Sequence, residues 1–153
     1  MINTSLIYVE KDGKYLMLHR TKKENDANKD KWIGIGGKLE AGESPFDCAK
    51  REVEEETGLT VNDLRYRGIV TFVSNECPTE YMHLFHTTSY EGEVNKNCDE
   101  GVLEWIEKKK LLSLPIWEGD KIFLDLLDKD VPFFSLKLCY NGNRLVDHVI
   151  NYT

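Results

Sequence analysis

Arg51-Glu52-Val53-Glu54-Glu55-Glu56-Thr57-Gly58 sets Glu52, Glu55 and Glu56 at i, i+3 and i+4, so on a helix three carboxylates project from one face. They repel one another there. They also crowd the last turn before Gly58, where the helix dipole is negative and each acid costs roughly 0.3–1 kcal/mol. A helix written for solubility carries its acids in the first turn and its Lys and Arg in the last, the reverse of this order. The asymmetry points to a bound cation. All-oxygen ligands select hard ions such as Mg2+ or Mn2+, and Mg2+ held by a few carboxylates keeps substrate phosphates in its shell. The chemistry is then metal-assisted work on a phosphate ester. For such a charge run standing alone, the plain alternative is a solvated Glu-rich helix.

The elements that must position these acids begin just upstream. Gly34, Gly36 and Gly37 lie beside apolar residues, so the backbone bends there or comes close to something, and Gly42 turns the chain toward the helix. Ser44 supplies a cap, Pro45 the first helical position, and Phe46, Ala49 and Val53 a buried stripe, with Gly58 as the stop. Arg51 and Glu43 can pair to lock the loop onto the helix. Asp12-Gly13 between Leu6–Val9 and Tyr15–Leu18, and Asn141-Gly142 between Phe133–Tyr140 and Leu145–Tyr152, predict two hairpins. Strands are expected at 67–73, 80–89 and 102–106. A second helix is expected from about Trp117 to Leu127, with Ile122, Leu126 and Leu127 on one face and Phe123 at its border. Thr21–Lys31 is a polar loop whose lysines could meet an anion. Strands dominate, and two helices flank them.

The chain has 153 residues, 41% hydrophobic and 31% charged, with 11 Gly and 4 Pro, which suits one domain over 1–153 and excludes disordered, collagen-like and repeat compositions. A net charge of −7 argues against binding long nucleic acid, whose phosphates need a basic face; a small anionic substrate would need a metal here. The cysteines at 48, 77, 98 and 139 match no zinc spacing and are expected to be reduced thiols. With no basic n-region leading into an apolar stretch and no long apolar run, the expectation is a cytoplasmic protein without a membrane partner.

Gly37 is followed after five residues by Glu43, after seven more by Arg51-Glu52-Val53, then by Glu55-Glu56 and Gly58-Leu59. This spacing resembles the Nudix box, complete. The resemblance implies an α/β/α sandwich around a mixed β-sheet, and hydrolysis of a nucleoside diphosphate linked to a further group. It further implies Mg2+ or Mn2+ held by Glu52, Glu55, Glu56 and the carbonyl of Gly36. Glu100 matches an acid outside the box that some relatives use as a metal ligand or general base; as a loop carboxylate it could also be simply solvated. Water attacking a phosphorus of the triphosphate bridge would lose its proton to Glu56 or Glu100.

Across nearly the whole chain the resemblance narrows to the MutT-like branch that hydrolyses oxidised purine nucleoside triphosphates such as 8-oxo-dGTP, releasing monophosphate and pyrophosphate. Trp32-Ile33-Gly34-Ile35-Gly36-Gly37-Lys38 is similar to that branch's WNGFGGK, and LPIWEGDKIF to its segment around WPDD. Substrate contacts then fall to Ile33, Gly37, Lys38, Trp117 and Asp120. Lys38 serves either as a point charge on phosphate or as a solvated lysine. Trp117 is either a stacking plane or core, and Asp120 either a base reader or a helix cap. Two departures stand at the base: Ile33 replaces an Asn, and Glu118-Gly119-Asp120 keeps only the second of two adjacent Asp residues. His83 and His86, three apart on a strand, face opposite sides and are ordinary strand histidines, as are the isolated His19 and His148. The competing functions are hydrolysis of another nucleoside diphosphate derivative, such as ADP-ribose or a dinucleoside polyphosphate, and nucleotide sensing without turnover. A sensing domain is expected to have lost box carboxylates, and none is lost.

Overall fold

A computed structural model describes residues 1–22, 26, 28–95 and 97–153. Its elements in chain order are β1 (Ile2–Lys11), β2 (Lys14–Arg20), β3 (Trp32–Ile33), β4 (Ile35–Lys38), α1 (Pro45–Thr57), β5 (Thr60–Val61), β6 (Arg65–Ser74) and β7 (Glu80–Thr87). There follow β8 (Tyr90–Glu91), β9 (Asn97–Cys98), β10 (Gly101–Glu107), α2 (Lys108–Leu111), α3 (Glu118–Leu127), β11 (Phe134–Asn141) and β12 (Arg144–Tyr152). Both turn signals are hairpins in the structure. Asp12 and Gly13 take φ of 51° and 75°, and Gly142 takes φ of 61°, the left-handed values that tight hairpin turns require.

The strands order as β12-β11-β6-β7-β1-β2-β10-β9. β1 with β7 and β6 with β11 run parallel, while the other pairs in this order are antiparallel. β1 and β2 pair only beside their turn, Glu10 with Tyr15 and Lys11 with Lys14. Beyond it they part. β3 fills the gap on the β2 side, Leu18 opposite Ile33, and β4 on the β1 side, Leu6 opposite Gly36. The glycine segment is therefore held between two strands of the sheet.

Helices cover both faces, which is why Ile7-Tyr8-Val9 and Tyr15–Leu18 are buried without alternation. On one side α1 sets Ala49 and Val53 against Ile7, Val9, Leu16 and Ile35. On the other, Phe123, Leu124 and Leu127 of α3 meet Tyr8, Met17, Val70 and Leu136. This is the expected mixed-sheet sandwich. Two expectations about helix faces need correction. Phe46 is 39% exposed, meeting Phe85 and Tyr66 edge-on at the rim, and the buried stripe of α1 is Cys48, Ala49, Val53 and Thr57. In α3 the buried face turns toward Phe123 and Leu124, leaving Ile122 partly buried. The one-turn α2 and the two-residue strands are too short to show a period, so periodicity missed them. No helix among the described residues is long and apolar enough to cross a membrane.

Candidate active site

The local chemistry of α1 sets the acids in place. Ser44 Oγ accepts from Asp47 N–H at 3.1 Å while the Asp47 carboxylate accepts from Ser44 N–H at 3.0 Å, a closed capping box with Pro45 behind it. Gly58 ends the helix at φ 80°. The Arg51 fork grips Glu43, with Nε to Oε2 at 2.7 Å and a terminal nitrogen to Oε1 at 2.8 Å, and also donates to the Lys38 carbonyl at 3.1 Å. One guanidinium thus ties the loop, the end of β4 and the helix together. It holds the Glu43 carboxyl down at about 2.

The box carboxylates are not equivalent. Glu52 accepts from Arg51 at 2.7 Å and is half-buried, its carboxyl raised by burial and lowered in turn by Arg51. Glu56 accepts from the Gly36 N–H at 3.1 Å and hydrogen-bonds the Glu100 carboxyl. Burial and the charges of Glu100 and Glu52 push Glu56 well above the usual carboxylate range. Glu55 is 60% exposed and turned aside to Arg51 at 3.2 Å. Glu56 thus lies within the charge of both Glu52 and Glu100, while Glu55 stands at the exposed edge of the group, near enough for its charge to act on Glu52.

Among the described residues no three carboxylate, imidazole or thiol side chains converge closely enough to hold a metal ion by themselves. The donor set still suits a hard divalent ion that draws the rest of its shell from water and phosphate. Burial first and mutual repulsion second raise the Glu52 and Glu56 carboxyls, both of which a cation would offset, and Gly37 leaves room in front of them. A Cβ at Gly37 would stand 2.6 Å from the Glu52 carboxyl carbon, and one at Gly36 would stand 1.9 Å from the Ser5 carbonyl oxygen.

A cavity of about 1070 Å³ opens over this cluster. Gly36, Gly37, Lys38, Arg51, Glu52 and Glu100 line one part of it, and Ile33, Trp117 and Asp120 another. Phe72 and Tyr140 hold the Trp117 ring edge-on at 5.5 and 5.1 Å, Lys31 lies 4.5 Å from its centre, and its Nε1–H donates to Asn28 at 2.6 Å. Asp120 does not cap α3: the cap residue is Trp117, without a side-chain hydrogen bond. Asp120 is 8% exposed, its carboxyl has no hydrogen-bond partner among the described residues, and burial pushes that carboxyl up to about 8. At neutral pH it is mostly the neutral acid, able to donate and to accept.

The glycine at 119 has a steric reason. A Cβ there would meet Leu138 at 2.5 Å and the Tyr140 hydroxyl at 2.7 Å, and that hydroxyl accepts the Gly119 N–H at 2.7 Å. Leu138 and Tyr140 together fill the space an aspartate would need. Composition and spacing missed Arg20, which donates to Glu100 at 2.9 Å and Asp26 at 2.8 Å, and Asn28. The Arg20 bond to Asp26 and the Trp117 bond to Asn28 cross into a loop whose polarity signals solvent. His83 bonds Tyr66 and Asn3 and His86 bonds Glu10 at 2.8 Å; neither lines this cavity.

A model of the NUDIX domain matches residues 2–127. An oxidized purine nucleoside triphosphate hydrolase from Danio rerio is 28% identical over 148 residues, 96% of this chain and 92% of that protein. A NAD-capped RNA hydrolase, NudC, from Vibrio parahaemolyticus is 31% identical over 107 residues, 69% of this chain and 38% of that protein. The crystal structure of a MutT protein from Bacillus halodurans is similar with a TM-score of 0.86 at 29% identity, covering 99% of this chain and 98% of that one.

Proposed function

The chain belongs to the Nudix family as a MutT-type hydrolase, and from that premise we propose that it cleaves purine nucleoside triphosphates, oxidised ones such as 8-oxo-dGTP among them, to monophosphate and pyrophosphate, cleansing the nucleotide pool. The observation that carries this reading is the single cavity with acids at one part and an aromatic plane beside a buried neutral acid at another. That arrangement suits a molecule with a polyphosphate at one end and a flat heterocycle at the other. The proposed setting is the cytoplasm, where free thiols such as the four cysteines persist.

Nudix hydrolases generally need a divalent ion; here Glu52, Glu56 and Glu100, with the Gly36 carbonyl and Glu55 beside them, would hold Mg2+ or Mn2+, which neutralises phosphate charge and acidifies water. Lys38 places a point charge on the phosphate oxygens. Arg51 keeps Glu52 turned inward through its 2.7 Å contact while anchoring the loop. A carboxylate of the Glu56–Glu100 pair accepts the proton of the attacking water, the pair acting as one coupled base. At the other part, Trp117 stacks the base and Asp120 meets its edge.

Ile33 offers no hydrogen bond, and Leu138 and Tyr140 occupy the place of a second aspartate. The preference for oxidised over normal guanine is therefore weaker than in relatives having the Asn and both Asp residues. The test is kcat/KM for normal and oxidised guanine and adenine triphosphates with wild type and Trp117→Ala. Loss of the stacking plane raises KM roughly tenfold for every purine; an unchanged KM would remove Trp117 from the base site.

A further inference from the structure

We propose that Asn28 is a specificity-determining residue of the base pocket, its amide nitrogen donating to a carbonyl oxygen on the nucleobase edge, so that the site favours 6-oxopurines over 6-aminopurines. The inference rests on the purine nucleotide reading above. Asn28 lines the same cavity as Ile33, Trp117 and Asp120. An indole N–H only donates, so the 2.6 Å contact from Trp117 Nε1 fixes the amide with its oxygen toward Trp117. Its Nδ2 then carries two N–H groups that have no partner among the described residues. The backbone around it is pinned. Asn28 N–H donates to Asp26 Oδ1 at 3.1 Å, its carbonyl accepts from Lys31 N–H at 2.9 Å, and Arg20 holds the other Asp26 oxygen at 2.8 Å.

A second group awaits a ligand in the same place: the carboxyl of Asp120, a residue more than nine-tenths buried, which lines the cavity without a hydrogen bond among the described residues. As a neutral acid it pairs with a donor and an acceptor together, whereas the Asn28 NH2 can only donate. A 6-oxopurine presents O6 as an acceptor; a 6-aminopurine puts N–H groups in that place, donor against donor. Ile33 supplies no polar atom, so the amide absent from position 33 is provided from the loop. Lys31 also donates, but an ammonium on a flexible stem imposes no edge geometry.

The test is kcat/KM for GTP, ITP and ATP with Mg2+, and the inhibition constants of GMP and AMP, for wild type, Asn28→Asp and Asn28→Ala. Asn28→Asp keeps an acceptor for Trp117 but replaces the donor by a second, negatively charged acceptor, whereas Asn28→Ala removes the donor without adding charge. The expected result is a fall of about tenfold or more for GTP and ITP relative to ATP, with weaker inhibition by GMP and none of that loss for AMP. Asn28→Ala shifts the ranking in the same direction, with a general rise in KM from the loosened indole. If both variants lower all three substrates by one common factor, or leave the ranking unchanged, Asn28 does not read the base and the proposal is overturned. If wild type turns over none of the three, the purine reading fails and takes this inference with it; turnover with an unshifted ranking sinks Asn28 alone.

Discussion

Glu56 and Asp120 are both carboxyls raised far from their usual range, and burial is the largest cause for each, but their neighbours differ. Glu56 faces two further acids and the Gly36 N–H, the surroundings of a group that awaits a cation. Asp120 is buried with only Lys31 to favour its charge, the surroundings of a group that stays neutral. Glu56→Gln is thus expected to lose activity by about a hundredfold or more while remaining folded, and to bind Mn2+ more weakly in a titration without substrate. Normal turnover and normal Mn2+ binding would remove Glu56 from the site. For Asp120, the folded protein keeps a proton that the unfolded chain releases above about 3.8, so its contribution to stability is complete below that pH and lost as pH rises through about 8. Asp120→Asn has no such loss. Melting curves across this range should show the variant gaining on wild type toward pH 8, by a few kcal/mol at most, and the gain vanishing near pH 4. A constant offset would mean that Asp120 is ionised throughout.

At the scale of elements, the strip from β3 to β4 matters most, because it carries Gly36 and Gly37 between the parted β1 and β2. Their two substitutions should fail differently. A methyl at Gly36 strikes the Ser5 carbonyl, backbone that cannot move aside, whereas one at Gly37 strikes the Glu52 carboxylate, which can swing. Gly36→Ala is expected to cost about 3 kcal/mol of stability or more, and Gly37→Ala under about 1 kcal/mol but most of the activity; denaturant melts and kcat measured together would show whether the losses divide this way. Much of this scale was legible in the sequence. The Asp12-Gly13 and Asn141-Gly142 hairpins and the Ser44-to-Gly58 helix carry their signals within a few residues of themselves, and the structure has all three. The illegible parts are long-range. Arg20 reaches Glu100 across eighty positions, and Gly119 is explained by Leu138 and Tyr140, on a strand that comes well after it in the chain. A loop of Lys, Asn and Asp has the composition of a solvated segment whether or not one of its amides is pinned to a tryptophan.

At the scale of the molecule, the fold brings two chemistries to one cavity: acids from α1 and the turn before β10, and an aromatic plane and buried acid from the start of α3. The hydrogen bonds Glu100–Arg20–Asp26–Asn28–Trp117 join the two parts through one loop. Breaking the chain in its middle should be felt at both. Asp26→Ala is expected to lower kcat through Glu100 and raise KM through Trp117, each about tenfold, with little change in melting temperature; an effect on only one constant would show that the parts act independently. The proposed reaction is cleavage within the triphosphate bridge by a cation-dependent carboxylate cluster. The most direct measurement is product analysis by ion-exchange chromatography after incubating wild type with GTP, 8-oxo-dGTP and, in parallel, ADP-ribose, with Mg2+ and with excess chelator. Monophosphate and pyrophosphate are expected in equal amounts with Mg2+ and no turnover under chelator, whereas diphosphate and orthophosphate, or unchanged triphosphate beside cleaved ADP-ribose, would rule this reaction out.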